Sequence, residues 1–235
     1  MTQRPANPGE RRRLEAAYGK RDPAPYSYFN RGQLHLIQQQ DREMLAALRR
    51  IGASGEQLGR MDVFEVGCGS GHLLRKLVSW GADPQRCAGA DIRPDVIERG
   101  GRLNPHIRLF HADCRDTGED AQRYDLVLQN IVFSSVLQPD LREALAREMV
   151  RITRPGGVIW WCDLRYRNPR NPDVVGIGKK ELLGLFADCR LEFLRPILLV
   201  PPLARRLAPI SKMACDLLYL LPFLRGHYVA TFRKP

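Results

Sequence analysis

The 235 residues, 44% apolar and 27% charged, have the length and composition of one globular α/β domain with some decoration. No run approaches the roughly 18 uncharged apolar residues that span a bilayer, and residues 1–22 lack the apolar stretch of about 7 to 15 residues of a secretory signal, so a cytoplasmic protein is expected. The net charge of +11 sits almost wholly on residues 1–21 and 195–235, which argues against a basic groove for nucleic acid through the middle of the chain.

Residues 1–32 read as a basic extension, partly disordered or folded as a lid, with Tyr26, Tyr28 and Phe29 as the lid's aromatic part. From residue 33 to 235 a single domain is expected. Leu34, Ile37, Met44, Leu45 and Leu48 recur at helical spacing and predict a helix over Gln33–Arg50. Short apolar runs follow at 61–66, 87–91, 107–110, 124–129 and 158–162, with helical patterns at 70–80, 94–101 and 139–152 between them. Strands alternating with helices predict an α/β fold, a doubly wound parallel sheet covered on both faces. Pro155, Gly156 and Gly157 predict a turn that stops a helix over 140–154 and launches the next strand. Residues 163–177 form a long polar loop, read as functional because it follows the carboxyl end of a strand. A helix at 179–186 and strands at 191–194 and 228–232 complete the pattern. Between those last two strands lies an apolar and basic insertion, residues 201–226, whose apolar side either walls an acceptor pocket or makes a peripheral membrane contact. The six cysteines stand singly, with no zinc-type pair, and are expected to be reduced thiols.

The chemistry concentrates in Val63–Leu74. A buried strand runs into a glycine turn, Gly67-Cys68-Gly69-Ser70-Gly71, that opens a helix, and Glu65 stands two positions before it. Glycines admit positive φ and close approach of a ligand, while the first amides of the helix offer donors to an anionic group. The spacing is GxGxG and not the GxGxxG of dinucleotide sites. Asp91, 20 residues after Gly71, ends the second strand where a carboxylate grips ribose hydroxyls. Asp113 follows the third strand, and Gln129 and Asn130 close the fourth; Ile92 and Cys114 flank the two acids.

These residues closely resemble the class I S-adenosylmethionine-dependent methyltransferase family, over about residues 33–235. The resemblance implies a seven-stranded, mostly parallel sheet with an antiparallel last strand. It also implies S-adenosylmethionine as cofactor, S-adenosylhomocysteine as product, Asp91 on the ribose and Asp113 on the adenine. Tyr26–Asn30, 129–135 and 163–171 resemble a bacterial branch that modifies glycans or secondary metabolites. The chain lacks the [N/D]PP[Y/F/W] motif of enzymes that methylate base amines, and the Pro-Cys nucleophile of cytosine C5 enzymes. Carboxylates for Mg²⁺ are also missing after the fourth strand, so no metal is expected. The expected acceptor is a small molecule or glycan hydroxyl, not nucleic acid, attacked in line. Asp163 and His35 are the candidate bases, ahead of His111 and His227. Tyr28, Phe133, Arg165, Tyr166 and Asn168 are the candidate acceptor contacts. Methylation of RNA, motivated by the basic ends, and a noncatalytic module that only binds the cofactor are the alternatives.

Overall fold

A computed structural model of the chain describes residues 8–20, 24–168 and 171–235. Residues 1–7 and 21–23 of the expected N-terminal extension, and Pro169 and Arg170 of the polar loop, lie outside the described residues. The extension contains a helix, α1 (Pro8–Gly19), and is followed by α2 (Arg31–Arg50) and α3 (Glu56–Arg60). The Asn30 side chain caps α2, accepting from the amides of Gly32 and Gln33 at 3.0 Å each. Strands and helices then alternate: β1 (Val63–Val66), α4 (His72–Ser79), β2 (Cys87–Asp91), α5 (Pro94–Leu103), β3 (Arg108–His111) and β4 (Tyr124–Asn130). Next come α6 (Pro139–Ile152), β5 (Thr153–Leu164), α7 (Lys179–Leu185), β6 (Arg190–Leu199), α8 (Pro201–Leu207), α9 (Lys212–Tyr219) and β7 (Arg225–Arg233).

The seven strands form one sheet in the order β3-β2-β1-β4-β5-β7-β6, parallel except for β7, which runs antiparallel to β5 and β6. Chain order runs outward from β1 through β2 to β3, then returns to place β4 on the other side of β1. The switch point between β1 and β4, at the carboxyl ends of the strands, is where open α/β sheets leave a crevice for a ligand.

Alternation along the inner strands divides the core. Leu126 and Leu128 of β4, with Val158 and Trp160 of β5, face α2 and α4, packing with Met44, Leu48 and Leu74. Val127, Ile159 and Trp161 face the other way, onto Leu145 and Met149 of α6 and Phe186. Strands buried on both faces read as continuous apolar runs, which is why 124–129 and 158–162 were visible in the sequence.

Two expectations are corrected. The helix before β5 has the bounds of the 139–152 pattern and does not continue to Arg154, because Pro155–Gly157 is drawn into the sheet: the Gly156 amide donates to Lys234 O at 2.9 Å, and the Lys234 amide to Gly157 O at 3.0 Å. The strand expected at 191–194 runs from Arg190 to Leu199, since its partner β7 is long enough to pair through Arg225. That pairing sets residues 201–226 at the same end of the sheet as Leu164 of β5, the end that carries the glycine turn.

Candidate active site

The glycine turn follows β1. Gly67 and Gly69 lie at φ +66° and +53°, in the left-handed region, and a Cβ on Gly67 would run into the methyls of Val132. The Cys68 amide donates to Ala90 O at 3.0 Å, seating the turn on β2. The Gly69 amide donates to Asp91 Oδ2 and the Arg93 amide to Asp91 Oδ1, both at 2.9 Å, so the carboxylate is held from two sides. Burial pushes the Asp91 carboxyl up from its ordinary range, and these two amides oppose the shift. Asp91 lines one pocket with Gly67, Gly69, Ile92, Asp113, Cys114 and Asn130. Arg115 clasps Asp113, with Nε 2.8 Å from Oδ1 and Nη2 on Oδ2. Seven of the eleven residues assigned to the cofactor from sequence thus converge on a single pocket.

The other four are not among its lining residues. Gly71 caps α4. Cys68 packs its side chain against Gly89, and burial pushes its thiol well up, so it is a filler and not a thiolate. Glu65 is buried, its carboxyl raised by desolvation and then by Asp91. The Leu74 amide serves it, while Oε2 has no partner among the described residues. Gln129 is fully buried: its Nε2 donates to Cys162 O at 3.2 Å, and its Oε1 accepts from the Val132 amide at 3.1 Å.

Asp163 and Gln129 together hold a strained turn after β4. Ile131, a β-branched residue, sits at φ +58° with its amide on Cys162 O at 2.8 Å. Asp163, fully buried on β5, accepts from the Ser134 amide at 3.1 Å and the Leu164 amide at 2.8 Å. Ile131, Val132 and Asn130 of this turn line the pocket, whereas Asp163 does not. Burial raises the Asp163 carboxyl from 3.8 to about 6, against the pull of its amide donors. The folded state therefore keeps a proton that the unfolded chain releases, and stability contributed at low pH is lost as pH rises from about 4 to about 6. Asp163→Asn should remove that slope. In urea titrations across this window the stability difference between parent and variant should change by up to about 3 kcal/mol. His227, buried and lowered to about 4, titrates alike in both proteins and cancels from the difference. A constant difference would mean that Asp163 ionises normally.

The remaining candidates are dispersed. His35 is buried on α2, with Asp216, Arg42 and Lys212 as charged neighbours, and both ring nitrogens lack partners among the described residues. Phe133 is in the core against Trp161 and Phe186. The Tyr28 hydroxyl meets His72 Nε2 at 2.7 Å beside the start of α4, whereas Phe29 is 99% exposed. Arg165 lies between the rings of Tyr166 and Tyr228 and donates to Pro222 O at 2.9 Å, fastening the insertion to the end of β5. Asn168 lies in the polar loop, its carbonyl accepting from the Asn171 amide at 3.0 Å.

Sequence reasoning gave residues 1–32 as partly disordered or a lid but missed the residues of that segment that line the pocket. Glu10, Leu14 and Tyr18 of α1 line it, and Arg93 stacks on the Tyr18 ring at 4.9 Å. The spacing of Leu14, Ala17 and Tyr18 is a faint helical signal within the basic extension. Gln40 of α2 was missed as well; its Nε2 reaches Asn130 Oδ1 at 2.5 Å.

The donor set fits S-adenosylmethionine. Beside Gly69 the turn is open, with nothing within 4 Å of where a Cβ would stand, Asp91 keeps acceptor capacity beyond its two amides, and Glu65 holds a buried oxygen without a partner. Fold and turn together are similar to those of class I S-adenosylmethionine-dependent methyltransferase domains. Residues 63–157 match the family model described as a methyltransferase domain. The phthiotriol/phenolphthiotriol dimycocerosates methyltransferase of Mycobacterium tuberculosis is 33% identical over 123 residues, 49% of this chain and 42% of the relative. The malonyl-[acyl-carrier protein] O-methyltransferase of Acetivibrio thermocellus is 36% identical over 75 residues, 32% of this chain and 26% of that protein. The chain thus spans less than half the length of these two curated relatives. Among solved structures, geranyl diphosphate C-methyltransferase from Streptomyces coelicolor shares the fold with a TM-score of 0.69 and 13% identity, over 98% of this chain and 99% of its own.

Proposed function

We propose that the protein transfers a methyl group from S-adenosylmethionine to a hydroxyl of a small-molecule or glycan acceptor, by in-line attack and without a metal ion. The observation that carries this reading is the convergence of Gly67, Gly69, Asp91 and Asn130 on one pocket at the β1/β4 switch point. Asp91 would accept from the ribose hydroxyls, Asp113 would meet the adenine edge, and Glu65 would hold the cationic amine. When bound, the cofactor supplies a sulfonium whose methyl is already activated toward a nucleophile. The chain's own task is then to align and to exclude water, and alignment contributes on the order of 7 to 11 kcal/mol. Leu14 and Tyr18 cover the pocket, and the Gln40–Asn130 contact braces the turn after β4 from α2. Asp163 is a positioning residue that acts through Ser134, and His35, facing α9, takes no part in the transfer.

A hydroxyl acceptor is supported by the relatives, one named for O-methylation and one for a phthiotriol. Freedom from metal is proposed from the end of β4, where Gln129 and Asn130 stand in place of carboxylates. Turnover should therefore persist unchanged in EDTA, and loss restored by Mg²⁺ or Mn²⁺ would overturn this part. The test of the whole is incubation with methyl-labelled S-adenosylmethionine and panels of hydroxylated lipids, sugars and polyketides, followed by mass spectrometry. Label on oxygen is expected. Tight S-adenosylhomocysteine binding with no labelled product in any panel would indicate a noncatalytic binding module instead.

A further inference from the structure

The helical pair between β6 and β7 turns apolar side chains to solvent. α8 and α9 pack inward through Ala204, Ala208 and Cys215, with Leu218 partly buried against the same core. On the outer side Met213, Leu217 and Leu220, at helical spacing i, i+4 and i+7, are 72%, 60% and 67% exposed, and Ile210, Leu221 and Phe223 extend the same surface. Isolated exposed apolar residues are ordinary, but six within fourteen positions form a patch that needs a partner. The patch continues onto the start of α2, because Arg31 donates to Pro209 O at 2.9 Å and brings the segment with the fully exposed Phe29 beside the insertion.

Charge selects the partner. Arg31, Arg206 and Lys212 are exposed on α2, α8 and α9, against Asp216 as the one exposed acidic side chain of α8 and α9. A second copy would set this basic face against itself, with like charges opposed across an isologous contact. An anionic bilayer matches both features, since apolar side chains enter the acyl boundary while Lys and Arg remain among the headgroups. No described helix is long and apolar enough to cross a membrane, so the contact is peripheral. We infer that α8, α9 and the turn after them dock the protein on an anionic membrane surface, with the carboxyl end of the sheet turned toward the lipid. The inference goes beyond the proposed transfer reaction and does not rest on the identity of the acceptor.

The test is sedimentation of the full chain with vesicles of phosphatidylcholine alone, or of phosphatidylcholine mixed with phosphatidylglycerol. Binding to the mixed vesicles and not to the neutral ones is expected. The triple variant Met213→Ser, Leu217→Ser, Leu220→Ser, whose side chains touch little of the core, should bind at least about tenfold more weakly. The pair Arg206→Glu and Lys212→Glu should weaken binding by about tenfold or more at low salt. Thermal unfolding of each variant checks that it is folded. Absence of parent binding, binding indifferent to phosphatidylglycerol, or binding untouched by the triple variant would overturn the proposal. A parent dimer that the triple variant converts to monomer, without vesicle binding, would also overturn it and assign the face to self-association.

Discussion

Gly67→Ala should impair S-adenosylhomocysteine binding by about thirtyfold or more. Two independent effects combine there. The backbone at φ +66° costs an L-residue about 1 to 2 kcal/mol, and the new Cβ overlaps Val132, which lines the same pocket. Overpacking of this kind costs about 1 to 3 kcal/mol more, so the sum corresponds to a loss of about thirtyfold or greater, divided between affinity and stability. Calorimetry with S-adenosylhomocysteine, beside thermal unfolding, separates the two. The double variant Gly67→Ala, Val132→Ala should recover the steric part and leave the dihedral part, giving an affinity between parent and single variant. Parent-like affinity in Gly67→Ala would show that the turn does not approach the cofactor.

Asp91→Ala is the second large effect. Its carboxylate holds the Gly69 and Arg93 amides and is proposed to accept from ribose hydroxyls, so truncation leaves donors on both sides without an acceptor. Cofactor affinity should fall by about 1 to 3 kcal/mol, roughly fivefold to 150-fold, with folding retained. Asp91→Asn, which keeps one acceptor oxygen, should fall between parent and Ala. If the dissociation constant for S-adenosylhomocysteine is unchanged in both variants, Asp91 is not the ribose ligand.

The residues in these two predictions were readable because their environment is local. Val63–Val66 is buried on both faces and the next five residues include three glycines, so strand, turn and helix follow one another without long-range information. Asp91 and Asp113 were readable because a parallel α/β sheet returns each strand end to the same edge, and counting strands places their ends. The insertion at 201–226 was likewise visible as apolar and basic from its composition.

Which way a side chain turns at the end of its element was not readable. Gln129 and Asn130 are adjacent, yet one is locked inward on Cys162 O and the Val132 amide while the other lines the pocket; the alternation of β4 permits either phase until α2 and β5 pack against it. Asp163 has the composition of a base, but burial beneath the turn after β4 makes it a clamp. His35 lies on a helix beside the site and faces α9, because an amphipathic pattern marks an apolar stripe and not its partner. Phe29 looked like a lid residue and stands in solvent, while the cover comes from Leu14 and Tyr18, more than forty residues before the turn they enclose. The sequence by itself determined the order of the strands, the glycine turn and the acidic residues at the strand ends, all set by local pattern and the rules of parallel sheets. Only the tertiary structure decided what covers the pocket, which polar side chains brace it from behind and which apolar face is left open, because each depends on contacts between segments far apart along the chain.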